Sequence, residues 1–500
     1  STSTATITVP NIGSGAIGVV AGTGVTGAVN IGNTSAAKIV MSGNIYKTGG
    51  AVTLTTTGGT DASDIEIDFT KGAAVFIATS GDNVSLVGGD VSLADGSHLT
   101  IDTNIADSGE TNGGNISIAG GIDGSADENL TLDAHSTGTG TITLAKVGAG
   151  EQTGITASEI NTLTLTAGGG ITLGGNITTS DANDTPGVDI NGDVTLSASV
   201  TITTDSGGTD GTIDISGDID GTSGSAQNLI IDSGTADVTI GSGTGTQVIG
   251  STEAKALNKI EINKTDGAGA ETGTITIDDI GTSSTYGAGT SGTTTDAVYI
   301  GNAHTTAVVL NGAEYNFNNS VYIQAKAAGS NDDIQIDGAS PTFQATNDTI
   351  TFETGVINLA SGLTTIQSNN GPITLTAVYG QGDEDLTVDA GTADGSATVS
   401  VGIIGHGTGT STSEISKVTL DGPDGVTLSG NITTGDYSDA AVDITGPVTL
   451  GAGITIDTAE TNNDGTITFN STATIDGANT LTLTTDTGAV ALQGACLLYT

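Results

Sequence analysis

Carboxylates are the residues of this sequence with the most obvious chemistry to offer: 56 acids stand against nine bases, for a formal net charge of −47. All nine bases are lysines and there is no arginine. Several turns concentrate the acids. Gly59-Thr-Asp-Ala-Ser-Asp64, Asp181-Ala-Asn-Asp184, the run from Asp205 to Asp210, and Asp436-Tyr-Ser-Asp439 supply Asp61, Asp64, Asp181, Asp184, Asp205, Asp210, Asp436 and Asp439. Clustered carboxylate and carbonyl oxygens suit a hard cation, so these eight aspartates are candidate calcium ligands. Equivalent acids in stacked parallel strands lie about 5 Å apart and repel by about 1 kcal/mol per pair even in water, which bound Ca²⁺ would relieve. A diffuse counterion cloud competes with that reading, because the Gly-Gly-x-Gly-x-Asp calcium repeat and the EF-hand loop are both absent.

Catalytic chemistry finds little footing. His98, His135, His304 and His406 lie in dissimilar contexts without metal-ligand spacing. The neighbouring acids Asp278-Asp279 and Asp332-Asp333 are expected by chance among so many carboxylates, and no Gly-x-Ser-x-Gly elbow occurs. Gly13-x-Gly-x-x-Gly18, Gly22-x-Gly-x-x-Gly27 and Gly287-x-Gly-x-x-Gly292 match a dinucleotide fingerprint only in letters, since no helical pattern follows them. Polyanionic partners are disfavoured: nucleic acid needs phosphates neutralised by Lys and Arg, and an anionic membrane would be repelled likewise. The glycine-broken stretch from Ala16 to Val29 is too polar to insert in a bilayer. Cys496 is alone, so no intrachain disulfide forms.

The elements that would position any site are short strands. With 79 Gly, no Trp and 3% aromatics, a conventional aromatic core cannot form, but β-branched residues can stack into a narrow one. Alternating triplets recur, as in Leu163-Thr-Leu165, Ile171-Thr-Leu173, Val188-Asp-Ile190, Val194-Thr-Leu196, Val200-Thr-Ile202 and Ile213-Asp-Ile215. Period two with Gly, Asn, Asp and Ser between the triplets means strand and turn. The best helical stretch, Glu253 to Lys259, is short. Strands of three suit a solenoid of roughly 20–25 residues per coil. Coils advancing about 4.8 Å each would build a rod on the order of 100 Å long.

Longer repeats support tandem modules. Ile160–Gly192 returns at Ile415–Gly446, sharing Ser-Glu-Ile, then Gly-Asn-Ile-Thr-Thr at Gly175 and Gly430. Val188-Asp-Ile190 answers to Val442-Asp-Ile444, and a looser copy runs from Val84 to Leu144. Asn129-Leu-Thr-Leu-Asp133, Asn228-Leu-Ile-Ile-Asp232 and Asp385-Leu-Thr-Val-Asp389 form another matched set. Gly175 and Gly430 are expected at a corner or bulge where a side chain would not fit. The division expected is a β-rich segment over 1–75, a solenoid module over 76–240, a divergent module over 241–380, and a module over 381–500 that copies about 130–240.

These Gly-Asp-Val-Thr-Leu and Gly-Asn-Ile-Thr-Thr units, the Thr/Gly/Asp richness and the long-range repeats resemble large bacterial surface proteins of the filamentous-haemagglutinin-like and autotransporter-passenger adhesin type. The resemblance covers most of 75–500 in style. It lacks the Asn-Pro motifs of a two-partner secretion domain and a translocator barrel. It implies a right-handed parallel β-helix, secretion to the bacterial cell surface, and a structural or adhesive stalk. The expectation is therefore an all-β parallel β-helix, non-enzymatic and extracellular, forming part of a longer chain. Calcium is the one cofactor considered. The partners would be a host or neighbouring-cell receptor, a polysaccharide, or copies of itself, with no nucleic acid and no membrane insertion. A self-assembling filament or surface-layer subunit and a β-helix polysaccharide-degrading enzyme are the alternatives. Tyr286, Tyr299, Tyr315 and Tyr322, within forty residues, are either a recognition patch or covers for coil edges.

Overall fold

The computed structural model describes residues 6–14, 25–34, 36–56, 67–70, 74–104, 112–124, 127–148, 159–180, 186–205, 210–222, 226–243, 245–264, 272–283, 285–289, 298–325, 333–346, 348–360, 362–381, 384–392, 396–405, 414–435, 440–459 and 465–494. The chain divides into two compact units, Ser1–Gly241 and Ser242–Thr500. Both are all-β. A single turn of 3₁₀ helix, Glu253–Lys255, stands where the sequence offers its best helical stretch.

In the first unit each coil contributes strands to parallel ladders. Leu163, Val188, Ile213 and Val238 are in register, at a constant step of 25 residues. Leu165, Ile190, Ile215 and Ile240 follow on the same faces two residues later. All eight are buried. Period two explains the division: successive side chains point to opposite faces, so the apolar residues face the coil interior and Thr or Asp faces outward. The same coils supply Ile171–Leu173, Val194–Leu196 and Ile219–Gly221 to a second set of ladders.

The second unit is built alike. Ile275, Val308, Ile334, Ile357 and Val378 stack in register on one face. Tyr315, Phe343, Ile366, Val388, Leu420, Ile444 and Phe469 stack on another. A third column runs Ile260, Val298, Val321, Ile350, Ile373, Val399, Val426 and Val448. The internal repeat is structural. Thr162–Thr166, Ile171–Leu173, Ile177–Thr178 and Pro186–Asn191 recur in the same order as Lys417–Asp421, Gly425–Leu428, Ile432–Thr433 and Ala440–Thr445.

Gly175 and Gly430 sit at close approaches between coils. A Cβ at Gly175 would lie 2.4 Å from the Ala145 carbonyl oxygen, and one at Gly430 would lie 2.6 Å from the Ile403 nitrogen. The asparagine that follows each one links coils: Asn176 Oδ1 accepts from the Thr201 N–H at 2.9 Å, and Asn431 Oδ1 from the Thr455 N–H at 2.9 Å. Gly-Asn-Ile is thus a corner motif. Glycine lets the backbone pass, and asparagine occupies an N–H of the next coil.

Candidate functional site

Of the eight calcium candidates, Asp61, Asp64, Asp181, Asp184, Asp436 and Asp439 lie outside the described residues. Asp205 and Asp210 flank one corner, both beside Gly234. Asp210 Oδ2 already accepts from the Thr235 N–H at 2.7 Å and from Thr235 Oγ1 at 2.6 Å. Burial, then the charges of Asp232 and Asp210, push the Asp205 carboxyl above the ordinary carboxylate range. Among the described residues no group of three or more His, Cys, Asp or Glu side chains is placed to hold a metal ion.

The outward acids meet instead as in-register pairs flanked by Thr or Gln. Asp189 and Asp214 pair directly across neighbouring strands. Burial and then the Asp214 charge raise Asp189; burial raises Asp214, with Asp237 adding to it and a Thr239 hydrogen bond opposing. In the second unit Asp389 and Asp421 are in register, and burial with the charges of Asp389 and Asp443 raises Asp421. In each case desolvation is the largest cause and like charge adds to it, as expected of stacked carboxylates in a part-buried ladder.

The four clustered tyrosines divide into different roles. Tyr315 is fully buried, stacked on Phe343 with centroids 4.5 Å apart. Its hydroxyl accepts from the Gly312 N–H at 2.8 Å and donates to the Ile277 carbonyl at 3.3 Å. Tyr46 in the first unit makes the same pair of bonds, from the Gly43 N–H at 2.7 Å and to the Val9 carbonyl at 3.1 Å. Tyr299 and Tyr322 are in register on the outward face and stack in parallel, with centroids 4.9 Å apart. Lys264 Nζ lies 3.7 Å from the Tyr299 ring centre, a cation–π contact. The preceding residue in that outward column is Glu261, which binds Lys264 and also Lys259 at 2.7 Å. Burial works to raise the Glu261 carboxyl, but the hydrogen bonds and charges of both lysines outweigh it and hold the group below its ordinary value. After Tyr322 the same column continues as Thr351, Thr374, Ser400, Thr427 and Thr449.

Tyr286 walls a hollow of about 200 Å³ whose lining includes Thr282, Thr285, Asn316, Gln344 and Thr346. The Tyr286 hydroxyl donates to Glu253 Oε1 at 2.9 Å. No sequence motif signals this hollow, because it joins residues from three different coils.

His98 and His135 serve local structure. His98 Nδ1 accepts from the Asn129 N–H at 3.1 Å. His135 takes a left-handed backbone conformation, φ 73°, in the turn after Asp133, with its N–H donated to Asp133 Oδ1 at 2.8 Å. His406 and Cys496 are outside the described residues.

What this geometry defines is a parallel β-solenoid repeat protein, its interior filled by apolar ladders and its outward columns made of hydroxyls, carboxylates and a small aromatic cluster. Comparison with family models, curated proteins and solved structures finds no match.

Proposed function

We propose that this chain is a non-enzymatic structural and adhesive protein of the bacterial cell surface. The observation that supports the reading is the in-register stacking of coils within each unit, which fills the interior with apolar ladders and leaves the outward faces open to contact. In such an array each coil contacts only its neighbours, and the faces offer extended binding surface. The stacked Tyr299–Tyr322 pair, and Tyr286 beside its own hollow, supply rigid, amphipathic contact groups on a surface otherwise dominated by Thr, Ser and Asp. Tyrosine is enriched at recognition surfaces because it brings contact area at a small cost in side-chain entropy.

The test is retention of the purified 500-residue chain on immobilised polysaccharides and on intact cells at physiological salt. Saturable retention, reduced by a Tyr299→Ala, Tyr322→Ala double variant, is the expected outcome. An adhesive role is ruled out by a chain that washes off every surface. Electron microscopy of the same sample separates the filament alternative: regular fibres would replace the adhesive reading with an assembly one.

A further inference from the structure

The hollow beside Tyr286 is lined by amides and hydroxyls drawn from three coils. Asn316 is only 5% exposed, and its orientation is fixed because Nδ2 donates to the Thr282 carbonyl at 2.7 Å and to Glu314 Oε2 at 3.1 Å. Its Oδ1 is buried and has no partner. That oxygen is shielded from solvent, so a ligand would meet the other polar groups of the hollow. Around it stand the Gln344 amide, the Thr282 and Thr285 hydroxyls bonded to one another at 2.7 Å, and Thr346. The Tyr286 ring closes one side and is steadied by Glu253.

We propose that this hollow binds one neutral pyranose residue of a glycan. The proposal rests on the adhesive reading above and names its ligand class. The volume is of the order of a single sugar ring. An aromatic wall suits the apolar C–H face of a pyranose, and amides and hydroxyls suit its hydroxyls. Charge selects among sugars. Among the described residues the lining holds no charged side chain, and the carboxylates of Glu253 and Glu314 are hydrogen-bonded to its Tyr286 and Asn316. A uronate or a phosphorylated sugar would meet repulsion from those carboxylates.

Saturation-transfer NMR on the full 500-residue chain tests this, with methyl α-glucoside, methyl β-galactoside, methyl α-mannoside, N-acetylglucosamine and glucuronate as probes. At least one neutral sugar should give transfer, with a Kd on the order of 1 mM for so small a ligand. Glucuronate should give none. Tyr286→Ala and Gln344→Ala should each weaken binding at least ten-fold while circular dichroism and melting stay unchanged, and Thr374→Ala, further along the sheet, should bind as the parent does. The proposal is overturned if no neutral sugar shows transfer, if glucuronate binds as well as they do, or if both hollow variants bind unaltered. Retention on glycan surfaces that survives Tyr286→Ala would overturn the hollow and leave the adhesive role standing. Sugar transfer without any retention would keep the hollow and reject that role.

Discussion

Tyr315 shows how single residues stabilise a narrow solenoid core. A tyrosine inside an apolar ladder needs a place for its hydroxyl. Here the chain turns at Gly312 so that one N–H faces that oxygen, while a carbonyl of the previous coil accepts its proton. Removing the oxygen alone leaves the Gly312 N–H unsatisfied in a buried place, which costs about 1–3 kcal/mol. Tyr315→Phe should therefore lower the urea midpoint measurably. Tyr286→Phe, at the surface, should change stability by no more than about 0.5 kcal/mol. Equal midpoints for the two variants would show that the Gly312 contact contributes nothing. The sequence grouped Tyr286, Tyr299, Tyr315 and Tyr322 by proximity, but their fates depend on parity within the strand. Tyr315 falls on an inward position, Tyr299 and Tyr322 on outward ones. The coil-linking work of Asn176 and Asn431 was equally hidden, since its partner lies a whole coil away.

At the scale of elements, the outward acids make the ladders respond to pH. Asp189, Asp205, Asp214 and Asp421 all have carboxyls raised above the ordinary range. A group whose pKa is higher when folded binds protons more tightly in the native state, so stability falls as pH rises through the interval between its unfolded and folded values. The melting temperature should accordingly rise on acidification from neutral pH until those groups are protonated. A melting temperature that falls over that first interval would contradict this assignment. Asp214→Asn removes one burdened carboxylate facing Asp189. It should stabilise at neutral pH by about 0.5 kcal/mol after solvent screening, and leave acid-state stability unchanged. Calcium belongs to the same scale. The described outward acids meet only in pairs, and Asp210 is already bonded to Thr235, so Ca²⁺ and Mg²⁺ should raise the melting temperature equally at matched concentration, as a counterion cloud does. A gain confined to Ca²⁺ would establish a specific site. Strand type, the inward apolar pairs and the glycine corners were legible in the sequence because period two and turn chemistry are local properties. The hollow was not, because Tyr286, Asn316 and Gln344 are brought together only by the register of three successive coils.

For the molecule as a whole, the decisive property is that coupling runs from coil to coil. In the first unit Ile190 is packed in register between Leu165 and Ile215. Placing a charge there, as in Ile190→Asp, buries an unpaired carboxylate and costs several kcal/mol. In a globular domain with one shared core, such a cost lowers the stability of every element together. In a stacked array the intrinsic and nearest-neighbour terms add along one dimension, so damage should be deepest at the altered coil and fade with each step away. Hydrogen exchange on Ile190→Asp should lose protection first in Pro186–Asn191, then in the flanking strands Thr162–Thr166 and Thr212–Ile215. Ala74–Ala78, several coils earlier in the same set of ladders, should keep close to its parental protection. Uniform loss across all four segments would mean that the unit unfolds as one cooperative block. The repeated 25-residue step would then describe its geometry without governing its energetics. A graded loss would tie the geometry to its use as well: a stacked array whose coils fail singly can lose one contact point and hold the rest.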